Sequence, residues 1–317
     1  MMETAFDTLR HTSIKVGEVW VPEDGELILH AGNYGAHQGF AEASGTESFV
    51  KGEGLPGKAM PTARPVVLKG FDGSYFRRAE AARAAGLTAA VAMPVFAGDV
   101  LKAVLVIFCS DGDRRIGALK IWVEKSGTLT LDDGYFADDG YFGAAADFEF
   151  VTRQTFFARE AGSCGRHLVL QHADADARTW GGLRLCPFGK CRQGRAFDRP
   201  CLPVPVPGGA TYVLALLSAK GTPIDHRFEI RDARVAKAGK TNDAILIDGI
   251  CEREGPLCVE DNLRRVSGWK GQIGMVLATG LPVIKSNSSG LVSGYTSMVA
   301  LPIHRGPELA FVVAWYL

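Results

Sequence analysis

Leu301 to Leu317 reads LPIHRGPELAFVVAWYL, and the chain has already written this pattern twice. Met93 to Cys109 reads MPVFAGDVLKAVLVIFC, and Leu202 to Ser218 reads LPVPVPGGATYVLALLS. The three stretches align without a gap. Each has proline in second place (Pro94, Pro203, Pro302) and glycine near the middle (Gly98, Gly208, Gly306). Each ends in an apolar run: VLVIF, VLALL or VVAWY. Glycine at a tight turn between two apolar runs is the signature of a β-hairpin. Three copies of one hairpin imply three copies of one unit, with the apolar run as each unit's central strand.

Working outward, Val19 to Leu29 (VWVPEDGELIL) matches Ile121 to Leu131 (IWVEKSGTLTL) at an offset of 102. Trp20 falls on Trp122, Gly25 on Gly127 and Leu27 on Leu129, which predicts an opening hairpin in both copies. The same offset carries Gly32 onto Gly134 and Phe40 onto Phe142, and further on Gly54 onto Phe156. The closing hairpins lie 109 apart, so the second copy holds about seven extra residues between these landmarks. Copies one and three share GLPGKAMPTARPVV (Gly54 to Val67) and GQIGMVLATGLPVI (Gly271 to Ile284). Each reads as a short helix opened by a glycine turn, then a strand beginning at Pro-Val. In copy three, FEIRDARVAKAG and NDAILIDGI stand where opening strands belong. FDGSYFRRAEAARAAGL in copy one predicts a helix from Phe71, capped by Asp72 and ended by Gly86. It would present Tyr75, Phe76, Ala79 and Ala82 on an apolar face and Arg77, Arg78, Glu80 and Arg83 on a charged one. Short joints divide the chain into units 1–111, 112–220 and 221–317.

Composition narrows the function classes. Lysine plus arginine and aspartate plus glutamate each number 35, so there is no basic excess for nucleic acid. No apolar run approaches the ~20 residues that span a bilayer. The first residues, MMETAFDTLRHTS, lack the basic and apolar regions of a secretory signal, so a cytoplasmic location is expected. Seven irregularly spaced cysteines point to reduced thiols rather than a disulfide framework. There is no P-loop, no GxGxxG after a strand and no HExxH.

In copy one, the opening hairpin leads to Phe49, Gly52, Gly54, Leu55 and Gly57. Pro65, Gly86, Leu87, Pro94, Val95 and Gly98 follow in order. This pattern resembles the GAF domain; copy three matches in its second half, and copy two by its repeat alignment and closing strands. The resemblance implies an α+β fold: three tandem units, each a central antiparallel sheet with short helices mainly on one face. It also implies a pocket on the helical face. Members of the family bind cyclic nucleotides, tetrapyrroles, haem, amino acids or ions, or serve as dimerisation modules. The Asn-Lys…Phe…Asp-Glu signature of the cyclic-nucleotide subset and the Cys-His pair of the bilin subset are absent here. Sensory members usually carry long helices on the far face of the sheet, for which these joints leave no room. Strands apolar on both faces need cover on both sides. That cover is expected from the other sheets or from a second subunit.

Within this frame, Tyr34, Phe40, Phe49, Phe71, Tyr75 and Phe76 are the candidate ligand-binding aromatics, and Arg77, with Arg78, offers a fork to an anionic group. The plainer reading makes them core aromatics beside a solvated arginine face. Cys186, Cys191 and Cys201 lie among Lys190, Arg192 and Arg195, which would activate thiols. They are the weak candidates for a metal or redox site, against three unrelated free cysteines. His167, His172 and Cys164 could hold a nucleophile pair, but no oxyanion motif accompanies them; His304 falls in a turn and is expected to be exposed. The resulting expectation is a non-catalytic sensory or regulatory GAF protein that binds a small molecule in unit 1. It would act through a protein partner or as a homo-oligomer, without nucleic acid or membrane, and no cofactor is named. A ligand-free structural module and a thiol-dependent site are the alternatives.

Overall fold

A computed structural model describes residues 12–72, 75–110, 117–136, 145–158, 201–218, 225–234, 243–251, 255–257, 265–286 and 294–317. Three antiparallel sheets account for them. In the first, β1 (Ile14–Glu23) and β2 (Glu26–Asn33) form the opening hairpin; β5 (Ala89–Ala97) and β6 (Val100–Cys109) form the closing one. β3 (Ser48–Val50) and β4 (Val66–Lys69) are the edges, in the order β3-β2-β1-β6-β5-β4. The second sheet is ordered β10-β11-β7-β8-β9, from β7 (Gly117–Lys125), β8 (Thr128–Phe136), β9 (Phe156–Ala158), β10 (Cys201–Pro205) and β11 (Thr211–Ser218). The third runs β14-β13-β12-β18-β17-β16. Its members are β12 (Arg227–Asp232), β13 (Asp243–Cys251), β14 (Gly255–Pro256), β16 (Val283–Ser286), β17 (Ser297–Arg305) and β18 (Glu308–Tyr316). β15 (Arg265–Ser267) pairs with β13 off this path. The two stretches of copy three proposed as opening strands are indeed β12 and β13.

Strand registers coincide across the sheets. Glu18 faces Val106, Lys120 faces Ala215 and Glu229 faces Ala314 across the central strand pair. On their other side the same three residues face Gly32, Gly134 and Gly249. A bulge follows at Val19/Trp20, Ile121/Trp122 and Ile230/Arg231. Glu18, Lys120 and Glu229 therefore occupy one position of one repeating arrangement.

The helices are short. α1 (Gln38–Gly45), α2 (Gly54–Thr62) and α3 (Ala79–Ala84) belong to the first sheet, α4 (Ala145–Gln154) to the second and α5 (Gly271–Thr279) to the third. α2 and α5 open at Gly54 and Gly271, both at positive φ, where glycine is favoured. A Cβ on Gly57 would lie 2.3 Å from the Val50 carbonyl oxygen, and one on Gly274 2.5 Å from that of Ser267. The helix can only sit this close to the preceding strand because both positions lack a side chain.

Two expectations are corrected. The helix read from Phe71 is confined to the six residues of α3; its N-cap is Arg78, and Asp72 instead pairs with Arg83. Gly86 does end it, at φ 65°, with Leu87 N–H donating to the Ala82 carbonyl. The constant offset through copy two also fails beyond β8. Phe156 pairs with Thr130 as Ser48 pairs with Ile28, so the offset has grown to 108 by β9. Phe156 therefore corresponds to Ser48 and not to Gly54, and most of the extra residues precede β9.

One core joins all three sheets. Val91, Met93, Leu105 and Ile107 of the first pack with Ile121, Leu202 and Leu214 of the second and Phe228, Leu301, Val313 and Trp315 of the third. β5, β10 and β17 meet each other pairwise. The equivalent triplets Pro94, Pro203, Pro302 and Val95, Val204, Ile303 line a small cleft at their meeting point. The far faces of the closing strands are thus covered by the other sheets of the same chain. At ~25 cal/mol per Å2 removed from water, this mutual burial gives the closing strands apolar cover on their second face. His304 is a further correction. It lines this cleft and is buried, beside the point where the hairpin tips of the first and third sheets meet and Gly98 N–H donates to the Gly306 carbonyl at 2.6 Å. Burial, then the charge of Lys102, lowers its pKa to about 4.

Candidate functional site

The helical face of the first sheet carries a second core. Val16, Trp20, Leu27, Ala90, Ala92, Val104, Val106 and Phe108 rise from the strands, and Phe40, Leu55, Ala59, Phe76 and Ala82 come down from the helices and loops. Strand alternation puts Val104 and Val106 here and Leu105 and Ile107 in the shared core. The aromatic rings interlock: Phe40 and Phe76 lie edge-on to Phe108 at 5.0 and 5.9 Å, and Trp20 edge-on to Phe49 at 4.8 Å.

At the centre lies an ion pair. Glu18 is fully buried and Arg78 nearly so. Arg78 Nη1 and Nη2 reach Glu18 Oε1 and Oε2 at 2.5 and 3.0 Å, the bidentate fork geometry of guanidinium and carboxylate. Trp20 Nε1 donates to Glu18 Oε2 at 2.9 Å, and the Ser44 hydroxyl to Oε1 at 2.7 Å. Arg78 Nη1 also donates to Ser44. Five ring centroids surround the guanidinium carbon: Phe40 at 4.8, Phe76 at 5.2, Trp20 and Phe108 at 5.5 and Phe49 at 5.8 Å. All lie within cation–π range. Burial and the Glu18 charge raise the pKa of Tyr34, which packs at the edge of this cluster.

Of the residues predicted to bind a ligand, Phe40, Phe49, Phe71 and Phe76 are brought together in this layer, with Tyr34 against it. Tyr75 lies outside, half-exposed beneath the Lys58 ammonium at 3.7 Å. Arg77 is exposed and pairs with Glu47 and Glu53. Arg78, assigned from the sequence to a charged helix face, points inward, because the segment preceding Ala79 is not helical and helical phase does not govern it. Glu18 and Ser44 escaped the sequence reading. Their signal was a glutamate on the inward face of an apolar strand.

The equivalent positions are also charged and buried. Lys120 of the second sheet donates to Thr152 Oγ1 at 2.9 Å and lies over the Phe136 ring. Thr152 stands to β9 as Ser44 stands to β3, four residues before the first paired residue of each edge strand. In the third sheet, Arg227 and Arg231 both reach Glu229, at 2.6 and 2.8 Å, and the Tyr316 hydroxyl donates to it at 3.4 Å. Next to this group the Cys251 thiol meets the Tyr295 hydroxyl at 3.2 Å, and burial raises the pKa of that phenol. Cys164, His167, His172, Cys186 and Cys191 lie outside the described residues; Cys201 begins β10.

No family model and no curated protein matches this sequence. Solved structures similar to part of it include the NLH2 GAF domain of A. aeolicus in an inactive state, at 25% identity and a TM-score of 0.26 over 32% of this chain. The match spans 60% of that chain's length. The GAF domain of a two-component sensor histidine kinase from Bacillus halodurans matches at 13% identity and a TM-score of 0.25, over 34% of this chain and 73% of its own. The reduced form of fRMsr from Staphylococcus aureus matches at 22% and 0.25, over 32% and 59%. Among the described residues, no helix is long and apolar enough to cross a membrane.

Proposed function

We propose that this chain is a non-catalytic sensory or regulatory protein of three GAF-like units, 1–111, 112–220 and 221–317. In this reading it captures a small molecule in the first unit and passes the state on through a protein partner or through self-association in the cytoplasm. The observation that carries this is the layer around Glu18. It sets a fully buried carboxylate among aromatic walls, on the face opposite the shared core. Catalysis is a poor use of such a group, since two N–H donors, a hydroxyl and an indole already hold the carboxylate fixed. Signalling suits it better. Phe108 and Val106 touch the layer, whereas Ile107 and Leu105 on the same strand touch the other sheets. A ligand that shifts Phe108 therefore strains the junction, and it biases the molecule by whatever its affinity differs between the two packings.

A thermal-shift and calorimetric screen of cationic metabolites, amino acids and nucleotides against the wild-type chain tests the reading. A saturable ligand whose binding is lost in Phe76→Ala and kept in Tyr75→Ala is expected; a complete lack of hits would count against it. The density of the aromatic layer favours one other reading, a structural module whose unit 1 is an ordinary core. Under that reading Phe76→Ala lowers stability and nothing ever binds.

A further inference from the structure

The three equivalent buried charges are partnered in different ways, and the difference is informative. In the third sheet, Glu229 is paired from its own strand by Arg227 and Arg231. The first sheet has Val16 and Trp20 at the matching positions, two residues to either side of Glu18. Its strands supply the carboxylate and the rings of Trp20, Phe49 and Phe108, α1 supplies the Ser44 hydroxyl, and neither strand neighbour on the face of Glu18 is a cation. The cation arrives from elsewhere, on Arg78, 60 residues along the chain and at the N-cap of a six-residue helix. Its seat is incomplete. Arg78 Nε is buried without a hydrogen-bond partner among the described residues. The seat therefore meets the two terminal nitrogens of the guanidinium and leaves its Nε edge without an acceptor.

We propose that this layer is a guanidinium-recognition site whose resident occupant is the side chain of Arg78, and that it takes an external guanidino compound when that side chain leaves. The inference rests on the ligand-binding reading of unit 1 and names the chemical class. Planar guanidinium is selected over a compact ammonium for two reasons. The two carboxylate oxygens of Glu18 match its fork. The five rings surround a flat, weakly hydrated cation. Arg78 then works as a self-ligand that any external compound must displace.

The experiment removes the occupant in the full-length chain. Arg78→Ala is titrated with methylguanidinium at constant ionic strength, followed by calorimetry and by the melting temperature, with ammonium and sodium as control cations. Methylguanidinium is expected to bind saturably, at least tenfold more tightly to Arg78→Ala than to the wild type, and to restore several degrees of the lost melting temperature. Glu18→Gln/Arg78→Ala should show neither effect. If Arg78→Ala does not fold, its refolding from urea is measured with and without millimolar methylguanidinium, and recovery of the native near-ultraviolet signal is expected only with it. Absence of binding and of refolding rescue overturns the proposal, as does equal rescue by ammonium. Failure here alongside a ligand found for the wild type discards the guanidino class alone; failure of both discards the ligand site itself.

Discussion

At the residue scale the molecule turns on Glu18. A fully buried carboxylate is tolerable only while its partners stay in place. Arg78→Met should therefore cost about 3–5 kcal/mol in urea unfolding, because it strands the carboxylate. Removing the charge as well, in Glu18→Met/Arg78→Met, should recover a large part of that loss. A double-mutant cycle then gives a coupling larger than the cost of Glu18→Met alone; simple additivity of the single variants would deny the pair its role. His304 makes the matching prediction for pH. Its ring titrates near 6.5 when unfolded and near 4 in the fold. Between these values the unfolded chain binds a proton that the fold refuses, so stability is complete above pH 6.5 and falls as the pH drops toward 4. Phe96 occupies the position equivalent to His304 in the first closing hairpin. His304→Phe should flatten that part of the pH–stability curve, as read from melting temperatures between pH 4 and 7.

At the scale of elements, the glycine turns decide how helices dock. Gly57→Ala forces a Cβ against the Val50 carbonyl, and a destabilisation of about 1–3 kcal/mol is expected from chemical denaturation. Trp269 presents the reverse case. It holds a left-handed φ of 67° at the position where the first unit has Gly52 at φ 91°, and it is 69% exposed. A bulky residue in that region costs about 1–3 kcal/mol. Trp269→Gly should therefore raise stability by about 1 kcal/mol, and a lower melting point would mean that the exposed indole makes stabilising contacts instead. These elements were legible because glycine spacing and strand alternation are local. The closing hairpins, α2, α5 and the opening strands follow from residues within one turn or one pleat. What stayed hidden depends on meetings between distant segments. Nothing near Arg78 shows that a carboxylate 60 residues earlier is waiting for it, so amphipathic reasoning assigned it to solvent. His304 was misplaced for a similar reason, since its burial comes from another sheet's hairpin. Glu18 is readable in principle, since a glutamate between Val16 and Trp20 breaks an apolar face, and its counterpart Lys120 breaks one between Ala118 and Trp122 at the same register.

At the scale of the whole molecule, three sheets share one interior. Their closing strands present Met93, Leu202 and Leu301 to one another, so none of the sheets owns its far face. Leu301→Ala should cost about 2–5 kcal/mol, and the loss should not stay in the third sheet. Amide hydrogen exchange tests this most directly. Peptides covering β5 (Ala89–Ala97), β10 (Cys201–Pro205) and β17 (Ser297–Arg305) are compared between wild type and Leu301→Ala under native conditions. A shared core predicts that all three strands lose protection together. Loss confined to β17 and its immediate neighbours, with β5 and β10 unchanged, would contradict it.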